Sequence, residues 1–208
     1  SLERTFKISA PDFFAQALVV PLFNALKEFP GIRLEILDHQ EQSMSELVSG
    51  KIDFVFGVEE QVPADVHAKN LGCDTAVCLI SKHHSFIQDE LSLAHIKQLE
   101  YVDLLTPEIE PFNILENWLA QQNITLKPKI TTESMMTALN VVQNSDLAIL
   151  FGSRLSRYLA SNQGLQGFKI LELPIPDSIL PPVYIKYFWH RRHHHDVAHQ
   201  WMRKLITT

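Results

Sequence analysis

Residues 5–58 alternate between two kinds of hydrophobic pattern, and no other feature narrows the fold as much. Phe6-Lys7-Ile8-Ser9 alternates apolar and polar with the period of a strand. Pro11 and Asp12 then open an amphipathic helix through Leu18, Leu22, Leu26 and Phe29, which Pro30-Gly31 stops. Residues 32–37 read as a second strand with apolar side chains at 32, 34 and 36. A polar loop, 38–42, leads to Ser43-Met44-Ser45-Glu46, the spacing of a capping box, and Gly50 is a natural helix stop. Residues 52–58 form a mostly apolar run, the pattern of a strand buried on both faces. The β-α-β-α-β order predicts a parallel sheet with helices packed on both sides.

The rest of the chain continues the mixed pattern. Residues 73–81 and 101–105 read as strands, and Ser92 caps a short helix carrying Leu93, Ile96 and Leu99. Helices are expected over 112–122 and 134–143, the latter with Met135, Ala138, Leu139 and Val142 on one stripe. A strand over 147–151, a short helix over 154–160 and a strand over 183–189 follow. Residues 174–182 hold four prolines without periodicity and read as a connector. Residues 196–206 close the chain as a helix with Val197, Trp201 and Leu205 on its apolar side.

Composition excludes several classes. A formal charge of −6 with no dense Lys/Arg cluster argues against direct nucleic-acid binding by these residues. No run of 18 apolar residues is present, so no membrane span is expected, nor is there a secretory leader pattern. Cys73 and Cys78 are expected to be reduced, buried thiols, which suits a cytoplasmic protein.

Few residues suggest chemistry. His190, His193, His194, His195 and His199 could offer a metal site, with His195 and His199 one helical turn apart. The general-base glutamate of a catalytic zinc helix is missing, since Asp196-Val197-Ala198 follow His195. A solvated histidine run, with no metal, is the expectation. No G-x-S-x-G, P-loop or G-x-G-x-x-G is present, and seven glycines leave little room for a phosphate-cradling loop. Neither an enzyme nor a cofactor is expected. The strand-to-helix corner at Pro11-Asp12 is a different matter, because helix N-terminal N–H groups over strand carboxyl ends attract anions. Asp12 either caps its own helix or shares that corner with a ligand. The 38–43 loop and Ser134 are polar helix starts of the same kind. Met135, Met136, Phe13, Phe14 and Trp189 are read as core.

Five segments, in order, resemble the effector-binding domain of LysR-type transcriptional regulators across nearly the whole chain. Phe29-Pro30-Gly31-Ile32-Arg33-Leu34 is similar to the family's proline turn, and Leu47-Val48-Ser49-Gly50-Lys51-Ile52-Asp53-Phe54-Val55 to its "l-x-x-G-x-l-D-x-a" signature. His83-His84-Ser85-Phe86 looks like the "hPl" segment, with serine in the proline position. Asp146-Leu147-Ala148-Ile149-Leu150-Phe151 looks like "G-i-a-l-l-P" without its glycine and proline. Phe188-Trp189-His190, then Asp196 and His199-Gln200-Trp201-Met202-Arg203, resembles the ending typical of a subgroup containing nodulation, LeuO-like and aromatic-catabolism regulators.

That resemblance implies an α/β, periplasmic-binding-protein-like (type 2) fold: two α/β lobes joined by a two-stranded hinge. Lobe I would be 1–80 plus 184–208 and lobe II 81–183, with crossovers near 81–84 and 181–183. It implies an effector-sensing and oligomerisation domain that binds a small, carboxylate or aromatic, ligand between the lobes. The matching positions are Pro11, Asp12, Leu18, Gln40 and Ser43, then Thr106, Ser134 and Phe151, then Ile185. It further implies a homodimer or homotetramer, and DNA contact only through a winged helix-turn-helix domain N-terminal to Ser1. The rival reading is a free-standing solute-binding protein of a transport system.

Overall fold

The computed structural model describes residues 3–105, 110–161 and 166–207. They form two compact units, one of residues up to Cys73 together with the segment from Tyr184, the other Asp74–Val183.

In the first unit, β1 (Arg4–Ala10) runs parallel to β2 (Ile32–Asp38) on one side and to β3 (Phe54–Gly57) on the other. β10 (Val183–His190) returns antiparallel to β3, and β4 (Val66–Asp74) closes the order β2-β1-β3-β10-β4. β3 is buried at all four positions, as its apolar run predicts. Phe6, Ile8, Phe54, Phe56, Tyr187 and Trp189 pack with α1 (Asp12–Leu26) and α7 (Val197–Ile206) into one core. A second core forms where Leu47 of α2 (Ser43–Ser49) meets Ile52, Val55 and Phe188.

The second unit holds β5 (Ala76–Ser81) between antiparallel β8 (Ile149–Gly152) and β9 (Phe168–Glu172). β6 (Glu100–Leu104) and β7 (Lys127–Thr132) pair in parallel. An isolated parallel bridge between Tyr101 and Ala148 ties that pair to β8. α3 (Leu93–Gln98) and α4 (Glu110–Gln121) contribute Ile96, Leu115 and Leu119 to the core, alongside Cys78, Ile80 and Leu171. α5 (Met135–Gln143) and α6 (Ser153–Ser161) complete the unit.

Several elements differ from the sequence expectation. The first helix ends at Leu26 rather than Phe29, although Pro21 lies inside it and forfeits one backbone hydrogen bond. β4, β7 and β9 are additional strands; β4 and β7 are mostly solvent-facing, so their apolar signal is weak. The expected 73–81 strand is two strands, and it separates Cys73, which is exposed, from buried Cys78. β5 belongs to the second unit, because both its neighbours lie there, so the chain crosses after Cys73 and residues 81–84 fall inside that unit. Asp74 secures the crossing on the second unit's side: its Oδ1 accepts from Thr75 N–H at 2.8 Å and from Arg154 N–H at 2.9 Å in the first turn of α6.

Candidate functional site

Three parallel strands finish on one edge of the first unit's sheet, at Ala10, Asp38 and Gly57. Antiparallel β10 begins on the same edge, with Lys186 opposite Gly57. α1 and α2 start there too, so helix N-termini and strand carboxyl ends share one border, the arrangement open α/β sheets use for ligands. Six positions taken from the family resemblance lie in this unit. Pro11 is buried and precedes α1, while Asp12 is exposed at its first turn. Leu18, one turn and a half further on, is half-buried against the main core. Gln40 is exposed, Ser43 is buried, and Ile185 is half-buried on β10.

Ser43 is tied into the corner instead of capping α2. Its hydroxyl lies 2.9 Å from Ser9 Oγ and accepts from Gln40 N–H at 2.9 Å, and the N-cap position falls one residue earlier, at Gln42, with no side-chain cap. Only 1% of Ser43 is exposed, so the expected capping box gives way to a buried hydroxyl pair joining β1 to the β2–α2 loop.

Beside that pair, His39 Nε2 lies 2.5 Å from Glu59 Oε1. Lys186 Nζ pairs with Glu60 at 3.2 Å and donates to the Glu59 carbonyl at 3.3 Å. Burial works against a charged Glu59, but the His39 hydrogen bond and the nearby amides of Glu59 and Val58 outweigh it and hold the carboxyl below its usual range. Sequence reasoning missed His39, Glu59 and Lys186. The usable signal was positional: His39 and Glu59 sit just past the ends of β2 and β3, and Lys186 lies opposite the last residue of β3.

The remaining positions belong to the second unit. Ser134 caps α5, accepting from Thr137 N–H at 3.1 Å, and is exposed. Phe151 is buried on β8, opposite Val77. Thr106 lies outside the described residues, as does the Phe13 side chain. Met135 is buried as expected, but Met136 is exposed.

The histidine run is not the solvated cluster its polarity suggests. His190 and His199 are buried, and His193 and His194 are half-buried; only His195 of the five is exposed. His199 donates from Nε2 to the Asp53 carbonyl at 3.3 Å, and Arg203 lies 2.8 Å from its Nδ1. Arg203 also donates to the carbonyls of His193 and His194 and lies over the Trp189 ring at 4.8 Å. Asp196 caps α7 through His199 N–H at 2.8 Å and takes two hydrogen bonds from Arg4 at 2.8 Å, while Arg4 reaches Asp53 at 3.2 Å. The C-terminal motif is therefore a latch that fastens α7 to β1 and to the start of β3. Among the described residues no three His, Cys, Asp or Glu side chains are placed to hold a metal ion, and no helix is long and apolar enough to cross a membrane.

Comparison with known proteins agrees with this architecture. The family model described as the LysR substrate binding domain matches residues 1–208. The chain is 24% identical over 201 residues to the HTH-type transcriptional regulator SyrM of Rhizobium etli, covering 96% of this chain and 57% of that protein. It is 22% identical over 206 residues to the HTH-type transcriptional activator NahR of Pseudomonas putida, covering 98% and 66% respectively. The chain thus spans less than two thirds of the length of these relatives. The regulatory domain of MexT, a transcriptional activator of Pseudomonas aeruginosa, superposes with a TM-score of 0.83 at 16% identity, covering 98% of each chain.

Proposed function

Because the chain belongs to the LysR substrate-binding domain family, we propose that it is the effector-sensing part of a LysR-type transcriptional regulator. A small effector seats on the carboxyl edge of the first unit's sheet, and its binding biases the arrangement of the full-length regulator on DNA. Base reading falls to a winged helix-turn-helix domain preceding these residues. One observation carries the assignment: strand ends Ala10, Asp38 and Gly57 and the starts of α1 and α2 converge on one border, around the buried Ser9–Ser43 pair. A carboxylate on the effector is served by the N-terminal amides of α1. The relatives' printed names, transcriptional regulators, favour this reading over a transport solute-binding protein.

The same domain supplies self-association. On α1, Val20 and Phe23 are 56% and 59% exposed, an apolar pair that suits burial against a second copy. Isothermal titration with a panel of aliphatic and aromatic acids tests sensing; heat that disappears in a Ser43→Ala, Gln40→Ala double variant supports the assignment. No heat with any acid, or equal heat in that variant, removes it. Light scattering on Phe23→Glu tests assembly, with a shift from dimer to monomer at unchanged melting temperature expected.

A further inference from the structure

Among the described residues of the first unit, the buried atoms without a hydrogen-bond partner include Trp189 Nε1 and His194 Nδ1, but at one place two such atoms belong to the same pair. The His39 side chain is only 9% exposed and its Nε2 is engaged by Glu59 Oε1. Nδ1 of the same ring and Oε2 of the same carboxylate are both buried, and neither has a hydrogen-bond partner. The amides of Val58 and Glu59 favour the carboxylate electrostatically without forming a bond of ordinary geometry to Oε2. Buried polar atoms are rarely left this way, because each loses its water without replacement. Gly57 permits the arrangement: a side chain there would run into Glu59 Oε2, which folds back over the end of β3.

Lys186 pairs with Glu60 and donates to the Glu59 carbonyl without reaching Oε2. The charge at this border is mostly negative, with Asp12, Asp38, Glu41, Glu59 and Glu60 set against Lys186. A second anion placed against Glu59 would meet repulsion. Oε2 of the Glu59 carboxylate is a hydrogen-bond acceptor, and the partner it lacks is a donor.

We propose that the His39–Glu59 pair is a ligand subsite that recognises a hydrogen-bond donor on the effector, a hydroxyl or an ammonium group. The inference rests on reading this border as the effector site, and it adds a chemical requirement: the effector carries a donor as well as any carboxylate. A donor group docks on Glu59 Oε2, and His39 holds that carboxylate in place.

Phenol, benzylamine and benzoate at millimolar concentration, titrated into the nitrogen-15-labelled chain, separate the possibilities by NMR. Phenol or benzylamine is expected to shift the His39 Nδ1 resonance and the amides of residues 58–60 saturably. Whichever of the two binds identifies hydroxyl or ammonium as the donor. Affinity for that probe should fall roughly tenfold or more in Glu59→Gln and in His39→Gln; two variants are made so that loss of fold in one leaves the other informative. Silence of His39 towards both donors, or unchanged affinity in both variants, overturns the inference. Benzoate shifting the Gln40 and Ser43 amides while both donors stay silent would sink the donor subsite and leave the effector-site reading standing. No probe moving any amide of this border would remove both.

Discussion

Acidification should weaken the first unit through His199, and the size of the effect follows from its surroundings. The ring is fully buried. Arg203 can only donate, so the nitrogen facing it at 2.8 Å, Nδ1, must accept, and the ring proton sits on Nε2, directed at the Asp53 carbonyl. Protonating Nδ1 would set an N–H and a positive charge against the guanidinium inside the core. Burial first, then His193 and Arg203, drive the pKa down from 6.5 to about 4, against the opposing pull of Asp53. Between pH 6.5 and pH 4 the unfolded chain binds a proton that the folded chain refuses. The contribution is therefore fully present above 6.5, is lost as pH falls towards 4, and is flat below that. A difference of that size corresponds to about 3 kcal/mol in all, most of it gone by pH 4.5. Urea unfolding at pH 7.5 and 4.5, followed by tryptophan fluorescence, measures the drop. In His199→Gln, which keeps a donor and an acceptor but does not titrate, the drop should be smaller by about that amount. An imidazole resonance of His199 titrating near 6.5, or equal pH dependence in the two proteins, would refute the reasoning.

Two further substitutions probe the latch. Asp196→Ala removes the α7 cap and both Arg4 hydrogen bonds; a loss of about 2 kcal/mol is expected in urea unfolding, and a loss under about 0.5 kcal/mol would mean the latch is dispensable. Gly50 ends α2 with φ at 86°, and an added side chain would meet the Arg192 guanidinium, which itself bonds the Val48 carbonyl. Gly50→Ala should therefore cost about 1–2 kcal/mol, measurable as a lower melting temperature, while Ser49→Ala, one residue earlier on the exposed face, should leave it almost unchanged.

Local rules carried the sequence a long way. The period-two run at Phe6–Ser9, the capping serines at 92 and 134 and the glycine stop at Gly50 each have a physical cause within a few residues, and the structure places strand, caps and stop there. The β-α-β-α-β alternation was sufficient for the parallel β2-β1-β3 core because a crossover helix between strands permits little else. The C-terminal helix was legible, but its buried face was not. Val197 is 79% exposed, while His199 and Met202 are buried, because the Asp53 carbonyl, far away in sequence, and Arg203, one turn further along the same helix, satisfy the imidazole, and distant Arg4 holds its neighbour Asp196.

Tertiary structure alone decided three things about this protein. It assigned β5 to the second unit, since strand partnership depends on neighbours dozens of residues away. It turned the histidine run from a surface feature into a latch. It also brought His39, Glu59 and Lys186 to one border from three stretches of chain. A sequence states which residues are polar and what their local pattern favours; which of them lose their water, and what replaces it, is settled only when the strands take their places in the sheet.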